Sequence, residues 1–160
     1  MNFAEKQNQI ETQLAAFKNG QERLVFLLEN AKLRAPFRSE LKIEKNLVPG
    51  CLARLWLVAE TRAGRCFFIR DSNSQIVKAV AGLLCDFYSD QLPAEIVLQE
   101  PDFLRPLGIT QHLTPNRRNA LTRVREYIRQ FAQAAEAREP SPPVEDRVTV
   151  ESIPTPTSGL

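Results

Sequence analysis

The sequence predicts an α+β fold in which a small antiparallel sheet, of about three strands, packs against several helices. Two observations lead to this prediction. Apolar residues recur at helical spacing near both ends and in the middle of the chain, whereas residues 52–70 form two apolar runs separated by a turn. With 160 residues, 43% of them apolar, the chain is long enough to bury one substantial core.

Charge and cysteine content narrow the class of protein. The formal charge of +2 indicates neither a nucleic acid nor a membrane partner. The three cysteines are odd in number and widely spaced, which favours reduced thiols over a disulfide framework. The first residues lack a charged-then-apolar leader, and no apolar run approaches the roughly 18 residues of a spanning helix. We therefore expect a cytoplasmic protein.

Two amphipathic helices are predicted first. Apolar residues from Phe3 to Phe17 follow helical spacing and stop near Asn19-Gly20, a helix-ending signal. Asn19 is also predicted to cap the second helix, with Glu22 three residues later as in a capping box. This second helix ends before Pro36.

A β-hairpin is predicted next, with strands at 52–60 and 65–70 joined by the turn 61–64. Residues 41–48 alternate partially and predict a third strand. After the hairpin, the run Asp71–Ser74 predicts the N-cap of a nearly buried helix that reaches Tyr88. A short helix is expected from Pro93, and Thr114-Pro115 predicts the start of a long last helix. The domain is predicted to span 1–138, and the Pro-rich segment 139–160 to be a disordered tail.

Cys51 is the candidate functional residue because it lies where a turn passes into a strand. Pro49 and Gly50 are turn residues, and the following strand carries Arg54 and Trp56, the only tryptophan of the chain. A cysteine used for packing more often lies inside a helix or strand, as Cys66 and Cys85 are predicted to do. A cysteine at a turn can be presented to a partner.

Other chemistry has weaker support in the sequence. The thiols and His112 lack the paired spacing of a zinc site, and no Gly-rich phosphate loop occurs. Cys51 and His112 could form a nucleophile–base pair, although His112 is also suited to a structural hydrogen bond. The last helix carries several arginines, which suit either a solvated face with Arg–Glu pairs or a docking surface for an acidic partner. They are Arg117, Arg118, Arg123, Arg125 and Arg129.

Three segments, in order, resemble those of the SufE-like (SufE/CsdE) sulfur acceptor family, and the resemblance covers roughly residues 3–136. They are Val48-Pro49-Gly50-Cys51 followed by Trp56-Leu57, Asp71–Lys78, and Leu107–Arg117 with its His112-Leu113-Thr114-Pro115 core. Ala79 and Ala120 stand where the family usually has Gly, and Ala53 where it often has a polar residue. With Ala53 the chain lacks this polar group near the thiol, which affects how a sulfur atom would be held there but not whether it is carried.

The resemblance implies a SufE/IscU-like fold and a sulfur relay, with no cofactor or metal held by this chain. Cys51 would take persulfide sulfur from a pyridoxal-phosphate (PLP) cysteine desulfurase of the SufS/CsdA type, stimulate that enzyme, and pass sulfur to an iron–sulfur scaffold protein. The family motifs also suggest supporting or docking roles for other positions. These are Gly50, Arg54, Trp56, Asp71, His112 and Arg117.

Two alternatives to sulfur carriage stay open at this point. The chain could regulate a desulfurase without carrying sulfur, or it could be a hydrolase or transferase that uses Cys51 with His112. The oligomeric state is open as well, with a homodimer among the options.

Overall fold

A computed structural model describes residues 1–138, and these form an α+β domain. Two strands make one antiparallel sheet, and five α-helices complete the domain, with α3 and α5 packed against the sheet. In chain order the elements are α1 (Phe3–Ala15), α2 (Gly20–Ala31), β1 (Leu55–Arg62), β2 (Arg65–Ser72), α3 (Gln75–Tyr88), α4 (Pro93–Leu98) and α5 (Pro115–Ala137). The predicted α+β class is confirmed, whereas the predicted tail at 139–160 lies outside the described residues.

The sheet is a hairpin whose register runs from Leu55 opposite Ser72 to Arg62 opposite Arg65. Its turn uses two left-handed residues, Ala63 with φ 50° and Gly64 with φ 77°. Two adjacent residues with positive φ match the twist of a tight hairpin. The predicted hairpin is therefore confirmed, but β1 begins three residues later than expected, at Leu55.

The prediction of a third strand at 41–48 is wrong. The segment forms two 3₁₀ turns, Ser39–Leu41 and Glu44–Asn46, and then a single antiparallel bridge between Leu47 and Trp56. Its polar groups are satisfied locally, since the Asn46 side chain donates to the Leu41 carbonyl at 2.9 Å and the Asn46 amide donates to Ile43. A backbone bonded to itself in this way cannot supply a ladder to β1.

Helix α3 lies at the centre of the core. It packs against β2 and against α1, α2 and α5, and most of its residues are buried. Ser74 caps its start by accepting a hydrogen bond from the Val77 amide at 3.3 Å. At its other end the Lys6 ammonium, from α1, donates to the carbonyls of Asp86 and Phe87. Backbone groups that lack a partner within α3 are therefore satisfied at both of its ends, an amide by Ser74 at the start and carbonyls by Lys6 at the other end.

The start of α2 positions the segment that leads to α5. Asn19 caps α2 as predicted, accepting from the Glu22 amide at 2.9 Å, although the Glu22 carboxylate accepts from the Lys18 amide and not from Asn19. Gly20 then lies so close to Gly108 that an added Cβ would stand 2.2 Å from the Gly108 carbonyl oxygen. This contact places the chain that continues to Thr114, the confirmed N-cap of α5.

Candidate functional site

The candidate site is the loop of residues 49–54, here called the thiol loop, and its two ends are tied down. At its start the Val48 amide donates to the Leu55 carbonyl at 2.8 Å. At its end the Arg54 amide donates to the Asn73 side chain at 3.0 Å, and the Arg54 carbonyl accepts from the Ser72 hydroxyl at 2.7 Å. These bonds end the ladder at Leu55 and leave Cys51 in the middle of a short projecting loop.

Helix α5 supports the thiol loop from one side. The Asn119 side chain donates to the Gly50 carbonyl at 3.0 Å. Gly50 has φ 80°, and a Cβ built on it would lie 3.1 Å from Cζ of Arg123. Asn119 and Arg123 are four residues apart and therefore project from the same side of α5. The amide and the guanidinium together contact the residue that immediately precedes the candidate thiol.

Cys51 itself is half-buried and packs against the core, whereas the next residue, Leu52, is 81% exposed. Partial burial raises the pKa of the Cys51 thiol above its ordinary value, and the nearby Arg123 guanidinium lowers that pKa part of the way back. The resting thiol is therefore mainly protonated at neutral pH. Because the thiolate is the reactive form, the reactivity of Cys51 depends on how strongly its surroundings stabilise that anion.

The other two thiols are enclosed, as their sequence context predicts. Cys66 is 0% exposed and Cys85 is 2% exposed. Burial raises the pKa of Cys66 to about 11 and that of Cys85 to about 12. Such thiols are neither reachable nor ionised under ordinary conditions. Cys51 is thus the one cysteine of the three that a visiting protein could reach.

Trp56 and Asp71 brace the hairpin next to the thiol loop. They are cross-strand partners, and the Lys42 ammonium lies 5.7 Å from the Trp56 ring and 2.8 Å from the Asp71 carboxylate. Lys78 pairs with the same carboxylate at 3.3 Å. Burial by itself raises the pKa of Asp71, but hydrogen bonds from Lys42 and from the Ser72 amide outweigh burial and lower it. This cluster has a supporting position, and Cys51 takes no part in it.

His112 lies just before α5, and Arg117 lies in its first turn. His112 is exposed in the 3₁₀ turn Thr110–His112, and its ring lies against Gly20, where an added Cβ would stand 2.8 Å from Cδ2. Within residues 1–138 the structure records no hydrogen bond between His112 and the Cys51 thiol. Arg117 is half-buried, and its amide donates to the Thr114 hydroxyl at 3.4 Å. The cation that acts on the thiol is Arg123 instead.

Asn119 and Arg123 were not among the site residues predicted from the sequence. The available signal was their spacing of four residues on a helix predicted from Thr114, but nothing in the sequence indicated that this face meets the thiol loop. Among the other arginines of α5, Arg125 pairs with Glu100 and Arg129 with Glu126. In the described part of the chain no carboxylate pairs with Arg123.

The residues that depart from the family pattern lie in two environments. Ala79 in α3 and Ala120 in α5 are buried helical residues, where Ala favours the helix by about 1 kcal/mol relative to Gly. Ala53 is half-buried in the thiol loop. The helical departures are therefore compatible with the fold, and only the Ala53 departure affects the surroundings of the thiol.

Two absences within residues 1–138 concern metals and membranes. No group of three or more His, Cys, Asp or Glu side chains there is arranged to hold a metal ion. None of the helices in that range combines the length and the apolar character that crossing a bilayer requires.

The fold and the site together define a class: a small α+β domain that carries one accessible thiol on a loop beside a hairpin. A family model described as SufE, Fe-S metabolism associated domain, matches residues 8–132. The chain therefore belongs to the SufE family, which is associated with iron–sulfur metabolism. The family predicted from the three sequence segments is confirmed.

Two individual proteins show the extent of the likeness. An uncharacterised SufE-like protein of Synechocystis is 36% identical over 93 residues, and the match spans 58% of this chain and 58% of that relative. The solution structure of a hypothetical protein from Thermus thermophilus superposes with a TM-score of 0.66 at 22% identity, covering 83% of this chain and 97% of that one. The second likeness concerns the fold alone.

Proposed function

We propose that this protein is a sulfur carrier in iron–sulfur metabolism and that Cys51 holds the sulfur as a persulfide. The observation that supports this most strongly is the contrast among the three thiols. Cys51 lies half-exposed on a short loop, whereas Cys66 and Cys85 are enclosed in the core. Membership of the SufE family supplies the metabolic context.

The proposed chemistry is one displacement at sulfur. The Cys51 thiolate attacks the outer sulfur of a desulfurase persulfide, so that a new S–S bond forms to Cys51. The S–S bond of the donor breaks, and the donor cysteine leaves as a thiolate. The sulfane sulfur keeps its oxidation state, and no oxidant or acid–base triad is needed. This fits a site in which His112 is not hydrogen-bonded to the thiol.

The thiol loop is suited to presenting Cys51 to a partner protein and then withdrawing it. It is anchored at Val48 and Arg54 but carries the exposed Leu52 between these anchors. We infer that the loop leaves α5 when a desulfurase docks, with Leu52 and Arg54 as contacts, and that it returns afterwards. Gly50 fits this role because a left-handed residue makes a natural hinge. Trp56 and Asp71 would hold the hairpin still while the loop moves.

The partners proposed are a PLP-dependent cysteine desulfurase of the SufS/CsdA type and an iron–sulfur scaffold protein, met in the cytoplasm. Pyridoxal phosphate belongs to the desulfurase, and the chain itself is proposed to need no cofactor or metal. His112 and Arg117, at the start of α5, are proposed as docking contacts, because both lie near the protein surface.

The test is the intact mass of the protein after incubation with a cysteine desulfurase and free cysteine. A gain of one sulfur atom in the parent, in Cys66→Ser and in Cys85→Ser, but not in Cys51→Ser, is the expected result. Loading of Cys51→Ser to the level of the parent would reject the assignment.

One observation favours a second function, in which the chain regulates a desulfurase without carrying sulfur. The resting Cys51 thiol has a raised pKa and is mainly protonated, which slows attack on a persulfide. If Cys51→Ser stimulates desulfurase turnover as strongly as the parent does, regulation is the function. No observation favours a hydrolase that uses Cys51 with His112.

A further inference from the structure

Arg123 is a charged residue with no carboxylate partner among the described residues, yet its guanidinium occupies a defined place. It lies against Gly50, with Cζ, Nε and Nη2 at 3.1, 3.2 and 3.2 Å from the position of a Gly50 Cβ. An added Cβ at Gly50 would displace the guanidinium by only a few tenths of an ångström. The guanidinium therefore covers the peptide that immediately precedes Cys51.

We propose that Arg123 is the positioning residue that stabilises the anionic sulfur of Cys51 while the thiol loop lies against α5, as the thiolate before docking and as the bound persulfide after the loop returns. The inference depends on the proposed carrier function, and it identifies Arg123 as a charged residue that serves that function. A persulfide is a stronger acid than its parent thiol, so the loaded cysteine is more fully anionic at neutral pH. Arg123 therefore interacts more strongly with the loaded state than with the resting state.

The other charged groups around the thiol loop do not offer the same interaction. Arg54 is exposed, and its backbone is fixed to Asn73 at the end of the loop. Asp71 on the hairpin is paired with Lys42 and Lys78. Asn119, the neighbour of Arg123 on α5, is uncharged. The charge that acts on the Cys51 thiol is that of Arg123, which opposes the effect of burial.

The experiment measures the rate of Cys51 alkylation by iodoacetamide as a function of pH, in the Cys66→Ser/Cys85→Ser background and without any desulfurase. Three variants are compared with this parent: Arg123→Gln, Arg123→Lys and Arg129→Gln. Arg129→Gln removes the same charge from the same helix, and Arg129 pairs with Glu126 rather than with the thiol loop. It is therefore the matched control for net charge.

Arg123→Gln is expected to raise the midpoint of the alkylation profile by only about half a pH unit, because solvent and salt partly screen the exposed guanidinium. The rate at neutral pH then falls about threefold. Arg123→Lys restores most of the shift, and high salt moves the midpoint of the parent toward that of Arg123→Gln. A merely structural arginine would give neither the rescue nor the salt response.

If Arg123→Gln moves the midpoint no further than Arg129→Gln does, the inference is overturned. That failure is distinguishable from failure of the carrier function, because the titration involves no sulfur donor. A parent that shows the Arg123-dependent midpoint but never gains sulfur would retain the electrostatic assignment and lose the carrier function.

Discussion

Replacing Gly50 with alanine tests whether the thiol loop is held in a single anchored conformation. Gly50 has φ 80°, and Gly64 in the hairpin turn has φ 77°. Gly64→Ala is a matched control because it introduces the same backbone strain, while a Cβ there meets nothing within 4 Å. The two variants differ in location and in the contact with Arg123.

The expected change in loop opening follows from the backbone strain of a left-handed alanine and from its contact with Arg123. Placing a Cβ in the left-handed region costs about 1–2 kcal/mol at either glycine. The contact of 3.1 Å with Arg123 adds little, because the tip of an exposed, flexible side chain can move by a few tenths of an ångström. For Gly50→Ala the strain is relieved when the thiol loop opens locally. Raising the free energy of the closed loop by about 1 kcal/mol increases the equilibrium population of the open loop about fivefold.

Trypsin cleavage after Arg54 measures that opening, because the bond is accessible to the protease only when the loop leaves its anchors. We expect Gly50→Ala to be cleaved there at least about fivefold faster than the parent, whereas Gly64→Ala is cleaved at the rate of the parent. Equal rates in all three proteins would show that the loop is already open in solution, and the reasoning about its anchors would be wrong.

Two further predictions concern the supports of the site. Gly20→Ala should lose about 1–3 kcal/mol in urea unfolding, because its Cβ would stand 2.2 Å from the backbone oxygen of Gly108; unchanged stability would contradict this close contact. Because the pKa of Asp71 is lowered in the folded state, its carboxylate stabilises the fold at pH values above the unfolded pKa of about 3.9. This stabilisation is lost as the pH falls through the folded pKa. Asp71→Asn should therefore be less stable at pH 7 yet lose less stability on acidification, and equal acid sensitivity in both proteins would refute the ion-pair assignment.

The elements that local chemistry determines could be predicted from the sequence. Asn19 and Thr114 cap helices as expected, since each lies immediately before an apolar periodic run. The hairpin and the buried helix α3 follow from their patterns as well. The third strand could not be excluded, because the partial alternation of residues 41–48 does not reveal that Asn46 satisfies the backbone locally.

The site was only partly predictable for a related reason. The Pro49-Gly50 turn placed Cys51 on a loop, and the apolar surroundings of Cys66 and Cys85 indicated buried thiols. The contact of Asn119 and Arg123 with Gly50 joins residues about seventy positions apart, and it depends on how α5 packs across the domain. Sequence spacing carries no information on such a contact, and His112, an alternative base for Cys51 in the sequence, lies against Gly20 instead.

The most direct test of the central claim locates the transferred sulfur in the chain. After a single turnover with a desulfurase and free cysteine, thiols and persulfides are alkylated, the protein is digested, and the peptides are identified by mass. We expect the extra sulfur on the peptide that contains Cys51, with unmodified sulfur content in those that contain Cys66 and Cys85. Sulfur on either of these buried residues, or on none of the three, would contradict the account.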